Sequence, residues 1–467
     1  MGFVFYDTET TGLRKGFDQI VQFAAIHVDA NLNELDRFDL RCRLQPHVVP
    51  HPQALLSNRL SIERLTDAGL PSHYEMVREI RWRLSQWGPS IFIGYNSIRF
   101  DEEMLRHALF QCLFPAYLTS TPGCGRADAM HIVLAACAEA EPCLALPLDA
   151  NGRRTFKLDA VARANGLDQG PAHDAMADTR TTLDLCRRVA SQAQEVWSRF
   201  VRTSNKAAVA DMVASEAVFI LTEFRRFEAS HRLVSCLGTE TGNPNGRLCW
   251  DLAINPAEAA ALSDEALTAL VADPAGPLRR LRINAAPALT MAWDAPSEWP
   301  LGETGEAEAR AAWLASHSNF GARIAQIQAE RWTDRVPPSH VELRLYEDGF
   351  PGGDDEALMA AFHNASKKDR RIIIDRFGDV RLKTFARRLL HMEHRSAFTE
   401  AERRAADLDL AARLLEDRSG PLTLPGARMA IDDLVASGEL DVDGILAGYR
   451  AWLDARIAKA RAFTAGV

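Results

Sequence analysis

Three apolar runs open the chain, Phe3–Tyr6, Ile20–Val28 and Phe38–Leu44, and the turn-rich connections between them predict a meander of three strands. The period then lengthens. Met76, Ile80, Leu84 and Trp87 recur three or four apart and predict a helix over Glu75–Trp87. A short apolar strand is expected at Ile91–Tyr95, and a second helix from about Asp101 carries Met104, Leu105, Ala108, Leu109 and Cys112. Further helices are predicted at Asp128–Ala140, Leu158–Ala164 and Asp174–Ala190. Strands alternating with helices after an initial meander define an α/β domain ending near residue 195.

From about Val196 the pattern changes to short β-like pieces, Val218–Thr222, Arg247–Leu252 and Leu281–Leu289, joined by Pro- and Ala-rich connections and an acidic stretch, Glu303–Glu308. This reads as a smaller, mostly β domain. Pro337-Pro338 and Gly349-Phe350-Pro351-Gly352-Gly353 mark the passage into a region that is almost wholly helical, with Leu408, Ala411, Ala412 and Leu415 at helical spacing. The expected division is 1–195, 196–340 and 341–467.

Composition narrows the function classes. At 467 residues, length alone favours about three domains. No run of 18 or more apolar residues occurs, so a membrane span is not expected, and the N-terminus lacks the pattern of a signal peptide. Eight scattered cysteines without a Cys-x-x-Cys pair argue against zinc and a disulfide framework, and fit a reducing cytoplasm. The net charge of −9 does not advertise nucleic-acid binding, but local patches set the field that a ligand meets. Ser366–Arg395 carries ten Lys or Arg against four Asp or Glu, which fits a solvated helical face or a phosphate-tracking surface equally well. No Gly-x-x-x-x-Gly-Lys-Ser/Thr loop is present.

The chemistry begins at Asp7-Thr8-Glu9. Carboxylates two apart on a strand share a face and repel, an arrangement tolerated mainly where a hard divalent cation neutralises them. A strand ending in a polar turn is the other reading of that triplet. Asp101, after a buried-looking strand, and Asp178, in a later helix, are individually compatible with ordinary helix residues. His173 precedes Asp178 by five positions, which on a continuous helix would separate them by about 140°. The two share a target only if His173 lies on the loop before the helix, as Gly170 and Pro171 allow.

Together, Asp-x-Glu on the first strand, Asp after a later strand, and His-x4-Asp on the closing helix resemble the DEDDh family of 3′→5′ exonucleases. Gln22-Phe23-Ala24-Ala25-Ile26, Gly94-Tyr95-Asn96 through Phe100-Asp101-Glu102-Glu103, Phe156-Lys157-Leu158-Asp159 with Ala164-Asn165-Gly166, and Ala172 through Asp178 resemble its bacterial exonuclease I branch. Downstream echoes are Ile283 to Pro287, Leu345 to Phe350, and Arg387-Arg388-Leu389-Leu390 with Arg395. The resemblance implies an α/β, ribonuclease H-like exonuclease domain, an SH3-like β domain and a C-terminal helical domain. It implies a 3′→5′ exodeoxyribonuclease that degrades single-stranded DNA to 5′-mononucleotides in repair and recombination.

By the same resemblance, Asp7 bridges two Mg2+ ions, for which Mn2+ substitutes. Glu9 and Asp178 complete the first site, Asp101 supports the second, and His173 takes a proton from the attacking water. Glu9 and Lys157 position the terminal nucleotide; the family has arginine where Lys157 stands, and lysine lacks its bidentate fork. Thr8 and Thr11 replace a tyrosine and a phenylalanine of exonuclease I, and Ser57-Asn58-Arg59-Leu60-Ser61 replaces a stretch beside the terminal base. Those changes bear on terminal-base contacts and sugar preference. The implied partners are single-stranded DNA and the acidic tail of single-stranded DNA-binding protein, with a cytoplasmic monomer expected. The rivals are another DEDDh enzyme, proofreading or RNA-trimming, and a non-catalytic single-strand-binding scaffold.

Overall fold

The computed structural model describes residues 1–140, 143–167, 174–225, 228–297, 299–331, 336–416 and 420–465. Its first sheet comprises β1 (Gly2–Thr10), β2 (Ile20–Val28), β3 (Glu34–Arg41), β4 (Ser90–Gly94) and β5 (Gly125–Asp128), in the order β3-β2-β1-β4-β5. The meander β1–β2–β3 is antiparallel, whereas β4 and β5 join it in parallel. Central β1 is covered on both faces, and its period-two alternation divides its side chains between two cores. Val4 and Tyr6 meet the helices His73–Gln86 and Asp101–Gln111, while Phe3 and Phe5 meet Ala129–Glu139 and Ala175–Gln192.

The helix expected at Glu75–Trp87 starts two residues earlier because Ser72 caps it. The Ser72 hydroxyl accepts from the Glu75 amide at 3.2 Å, and the Glu75 carboxylate accepts from the Ser72 amide at 2.7 Å, a reciprocal capping box. Strand β5 has no apolar signature, since it reads Gly-Arg-Ala-Asp. Burial of Arg126 is made tolerable by Glu102, 2.5 Å away across the sheet.

The second sheet is antiparallel, in the order β10-β6-β7-β8-β9: β6 (Phe219–Arg225), β7 (Glu228–Thr239), β8 (Gly246–Asp251), β9 (Leu278–Arg282) and β10 (Leu289–Met291). Trp250, fully buried, anchors one of its faces. The acidic stretch expected as a connection is instead the start of the helix Thr304–Ser316, followed by Ser318–Glu330; both cover that face. Acidic residues in a first helical turn oppose the positive end of the helix dipole, which is why the charge did not prevent a helix.

The remaining region is helical, at Gly353–Asn364, Lys367–Arg376, Val380–Glu393, Glu400–Leu415, Leu424–Ala436 and Ile445–Ala465. It shares two hydrophobic cores with the first domain. In one, Phe110 meets Phe385 and the Met76 to Leu84 face meets Met359, Ile374 and Leu389. In the other, Val21, Leu44 and Leu55 pack with Leu424, Ile431 and Leu453, and the Tyr449 hydroxyl donates to the Pro50 carbonyl at 2.6 Å. No helix among the described residues is long and apolar enough to cross a membrane.

Part of the charge of the basic segment Ser366–Arg395 is met by carboxylates of the protein itself. Arg371 pairs with Glu402 at 2.5 Å, Arg381 with Asp379 at 2.6 Å, Arg388 with Glu342 at 2.8 Å and Arg395 with Asp407 at 2.7 Å. Lys367, Lys368, Arg376 and Arg387 stay exposed on its surface. Charge counted along a sequence window does not see anions supplied from outside it.

Candidate active site

Asp7 and Glu9 point from β1 toward the helix Ala175–Gln192, which packs across β1 and β2. Asp178 lies in the first turn of that helix. One carboxylate oxygen from each of Asp7, Glu9 and Asp178 falls within 4.8 Å of the others. Asp174 sets the helix start. Its carboxylate accepts from the Met176 and Ala177 amides, both at 3.2 Å, and is held by Arg41 at 2.7 Å and Gln22 at 3.2 Å. Sequence reasoning did not assign Asp174 a role, although an Asp before a helix is a capping signal.

Asp101 begins the next wall of the site. It opens the helix Asp101–Gln111, is 4% exposed, and accepts from the Thr8 hydroxyl at 2.5 Å. The loop that delivers it includes Asn96 at φ 57°, a left-handed conformation that Asn tolerates. Asp128, at the end of β5, fixes that loop by accepting from the Asn96 amide at 2.8 Å and the Ile98 amide at 3.3 Å. Asp101 is not one of the three carboxylates that converge within 4.8 Å, but its charge reaches Asp7.

The other expected residues divide. Lys157 is exposed at the head of the helix Leu158–Ala164. His173, with Gly170 and Pro171, lies outside the described residues. Thr11 is buried and closes the loop after β1, its hydroxyl donating to Asp18 at 2.9 Å and accepting from the Gln19 amide at 2.9 Å. In the Ser57–Ser61 stretch, the Asn58 amide donates to the Thr10 carbonyl at 3.0 Å, tying the segment to the end of β1.

Electrostatics gives the cluster its character. Burial, then repulsion from Asp101, Glu9 and Asp178, pushes the Asp7 carboxyl well above the usual range. Burial and then Asp178 push Glu9 up to about 8, and burial pushes Asp101 up to about 7 against the pull of Thr8. Three converging oxygens on groups that resist ionisation together form a hard donor set, and they fit a divalent cation that removes the repulsion. The sign of the pH effect follows. A carboxyl raised on folding contributes stability below its unfolded pKa and loses it as pH climbs through about 8. The gain in Tm on adding Mg2+ to the metal-free protein is therefore expected to grow between pH 6 and pH 8.5; a constant gain by differential scanning fluorimetry would contradict it.

Residues 4–186 match the family model described as Exonuclease. The branch is the one the motifs indicated. Exodeoxyribonuclease I of Haemophilus influenzae is 26% identical over 256 residues, 54% of each chain, so the match spans about half the length of that relative. Exonuclease I from Methylocaldum szegediense superposes with a TM-score of 0.85 at 23% identity, over 98% of this chain and 99% of that one. Escherichia coli exonuclease I in complex with a dA16 oligonucleotide superposes with 0.83 at 20% identity, over 99% of both chains. The chain thus has the exonuclease I fold through all its parts.

Proposed function

We propose that this protein is a 3′→5′ exodeoxyribonuclease that removes 5′-mononucleotides from single-stranded DNA in repair and recombination. The observation that carries the reading is the convergence of Asp7, Glu9 and Asp178 within an exonuclease domain. In this reading the parts 1–195, 196–340 and 341–467 act as exonuclease, SH3-like and helical domains. Two Mg2+ ions, replaceable by Mn2+, would supply the charge that activates water and stabilises the leaving oxygen. Asp7 would be shared between the two sites, Glu9 and Asp178 would complete one, and Asp101 would support the other. His173 accepts the proton of the attacking water, for which a neutral imidazole is suited. Lys157, exposed at the head of the helix Leu158–Ala164, offers a point charge to the phosphate, and Glu9 helps seat the terminal nucleotide.

A cavity of about 1020 Å³ at the meeting of the three parts supports a path for the strand. Tyr117 comes from the first, the Asn243-Pro244-Asn245 hairpin tip from the second, and Tyr346 and Phe350 from the helical part. Phe350 is 76% exposed, and its ring lies 5.3 Å from that of Tyr117. Exposed aromatics stack on any base, which makes binding tolerant of sequence, and Arg78 and Arg81 add positive charge to the same wall. Phe350→Ala is expected to weaken single-strand binding by about 1–3 kcal/mol without altering duplex binding. Fluorescence anisotropy in EDTA checks this, and unchanged single-strand affinity would remove the groove from the reading. A cytoplasmic monomer that engages the acidic tail of single-stranded DNA-binding protein belongs to the same proposal.

The deciding experiment is Mg2+-dependent digestion of matched single-stranded DNA, duplex DNA and RNA. Preferential release of mononucleotides from the 3′ end of single-stranded DNA is expected. Preference for RNA would favour an RNA-trimming enzyme, and binding without cleavage would favour a scaffold.

A further inference from the structure

Thr8 stands between Asp7 and Glu9 on β1, so its side chain leaves the strand on the opposite face and cannot join their cluster. It is nevertheless buried, at 6% exposure. Its hydroxyl meets Asp101, 93 positions away, at 2.5 Å, the separation of a charge-assisted O–H···O− bond. On the other side, Asp128 organises the loop that leads into Asp101. Asp101 is thereby held in place, and its charge is felt at Asp7.

We propose that Thr8 is a positioning residue whose hydroxyl holds Asp101 for the second divalent cation, while the first cation depends on Asp7, Glu9 and Asp178 alone. This rests on the two-cation reading given above. The physical basis is differential. A buried carboxylate is oriented by the hydroxyl that donates to it, and losing that bond leaves it freer to rotate. The single hydroxyl proton of Thr8 is spent on Asp101, so the cation held by Asp7, Glu9 and Asp178 is spared. Replacing Thr8 by valine keeps the β-branched shape and removes only the donor.

The test is Mn2+ binding to the DNA-free protein, followed by electron paramagnetic resonance and calorimetry. The wild type is expected to bind two ions. Thr8→Val should retain the first and weaken the second about tenfold, the usual loss for one hydrogen bond to a charged group. Thr8→Ser, which restores a hydroxyl, should recover it. In an Asp101→Asn background, Thr8→Val should change nothing further, a readout that a merely structural role would not produce and that remains valid if Thr8→Val alone folds poorly. Two ions bound equally by wild type and Thr8→Val would overturn the inference. A wild type that binds fewer than two ions would overturn the two-cation reading beneath it.

Discussion

Asp7→Asn is expected to lose Mg2+-dependent digestion of single-stranded DNA by about three orders of magnitude or more. The residue lies in the carboxylate cluster and also under the field of Asp101. Asparagine keeps its shape and removes its charge. Metal-assisted stabilisation of charge in such displacements is worth several kcal/mol, and each ~1.4 kcal/mol is a factor of ten in rate. Single-strand affinity in EDTA should be nearly unchanged, because the groove aromatics are far from the substitution in sequence and belong to other elements. The metal-free variant should also melt higher than the wild type, since one of several mutually repelling buried carboxylates is gone. Lost activity with raised stability separates a functional ligand from a structural one. Retained digestion in a gel assay would defeat the assignment of the site.

Glu342→Ala is expected to have the largest effect on stability. Glu342 is 3% exposed and accepts from Arg388 at 2.8 Å and Arg413 at 2.6 Å. Burial raises its pKa, but the two guanidiniums overcome this and hold the carboxyl at about 2. A carboxyl lowered on folding stabilises above its unfolded value and loses that contribution as pH falls toward 2. Truncation leaves two partly buried cations without their shared anion. Such breakage costs about 3–5 kcal/mol when both partners are deeply buried, and the partial exposure of the arginines points to the lower end. Chemical denaturation at pH 7 reads the loss; less than about 1 kcal/mol would contradict it.

What could be read from the sequence was what local periodicity encodes. Asp7 and Glu9 followed from alternation on β1, and the helix-period runs gave the frame that carries Asp101 and Asp178. Their meeting was anticipated through resemblance, since nothing in spacing alone brings residues 7 and 178 together. The partner of the Thr8 hydroxyl, Asp101, lies on a strand-to-helix junction 93 positions away that no local pattern marks. Strand β5 escaped because a buried Arg126 needs a distant Glu102 to be tolerated. The helices Thr304–Ser316 and Ser318–Glu330 escaped because Ala-rich, polar segments show little apolar contrast. Tyr117 and Phe350 sit in connections where no period marks an exposed ring.

Tyr449 on the Pro50 carbonyl, and the apolar side chains around it, have one more implication. Such a seam makes the accessory region part of the scaffold that keeps the nuclease centre in shape. Trimming the protein to a minimal hydrolase would peel open that seam and bare its greasy lining. The carboxylate cluster and the helical region that braces its domain therefore stand or fall as one mechanical unit.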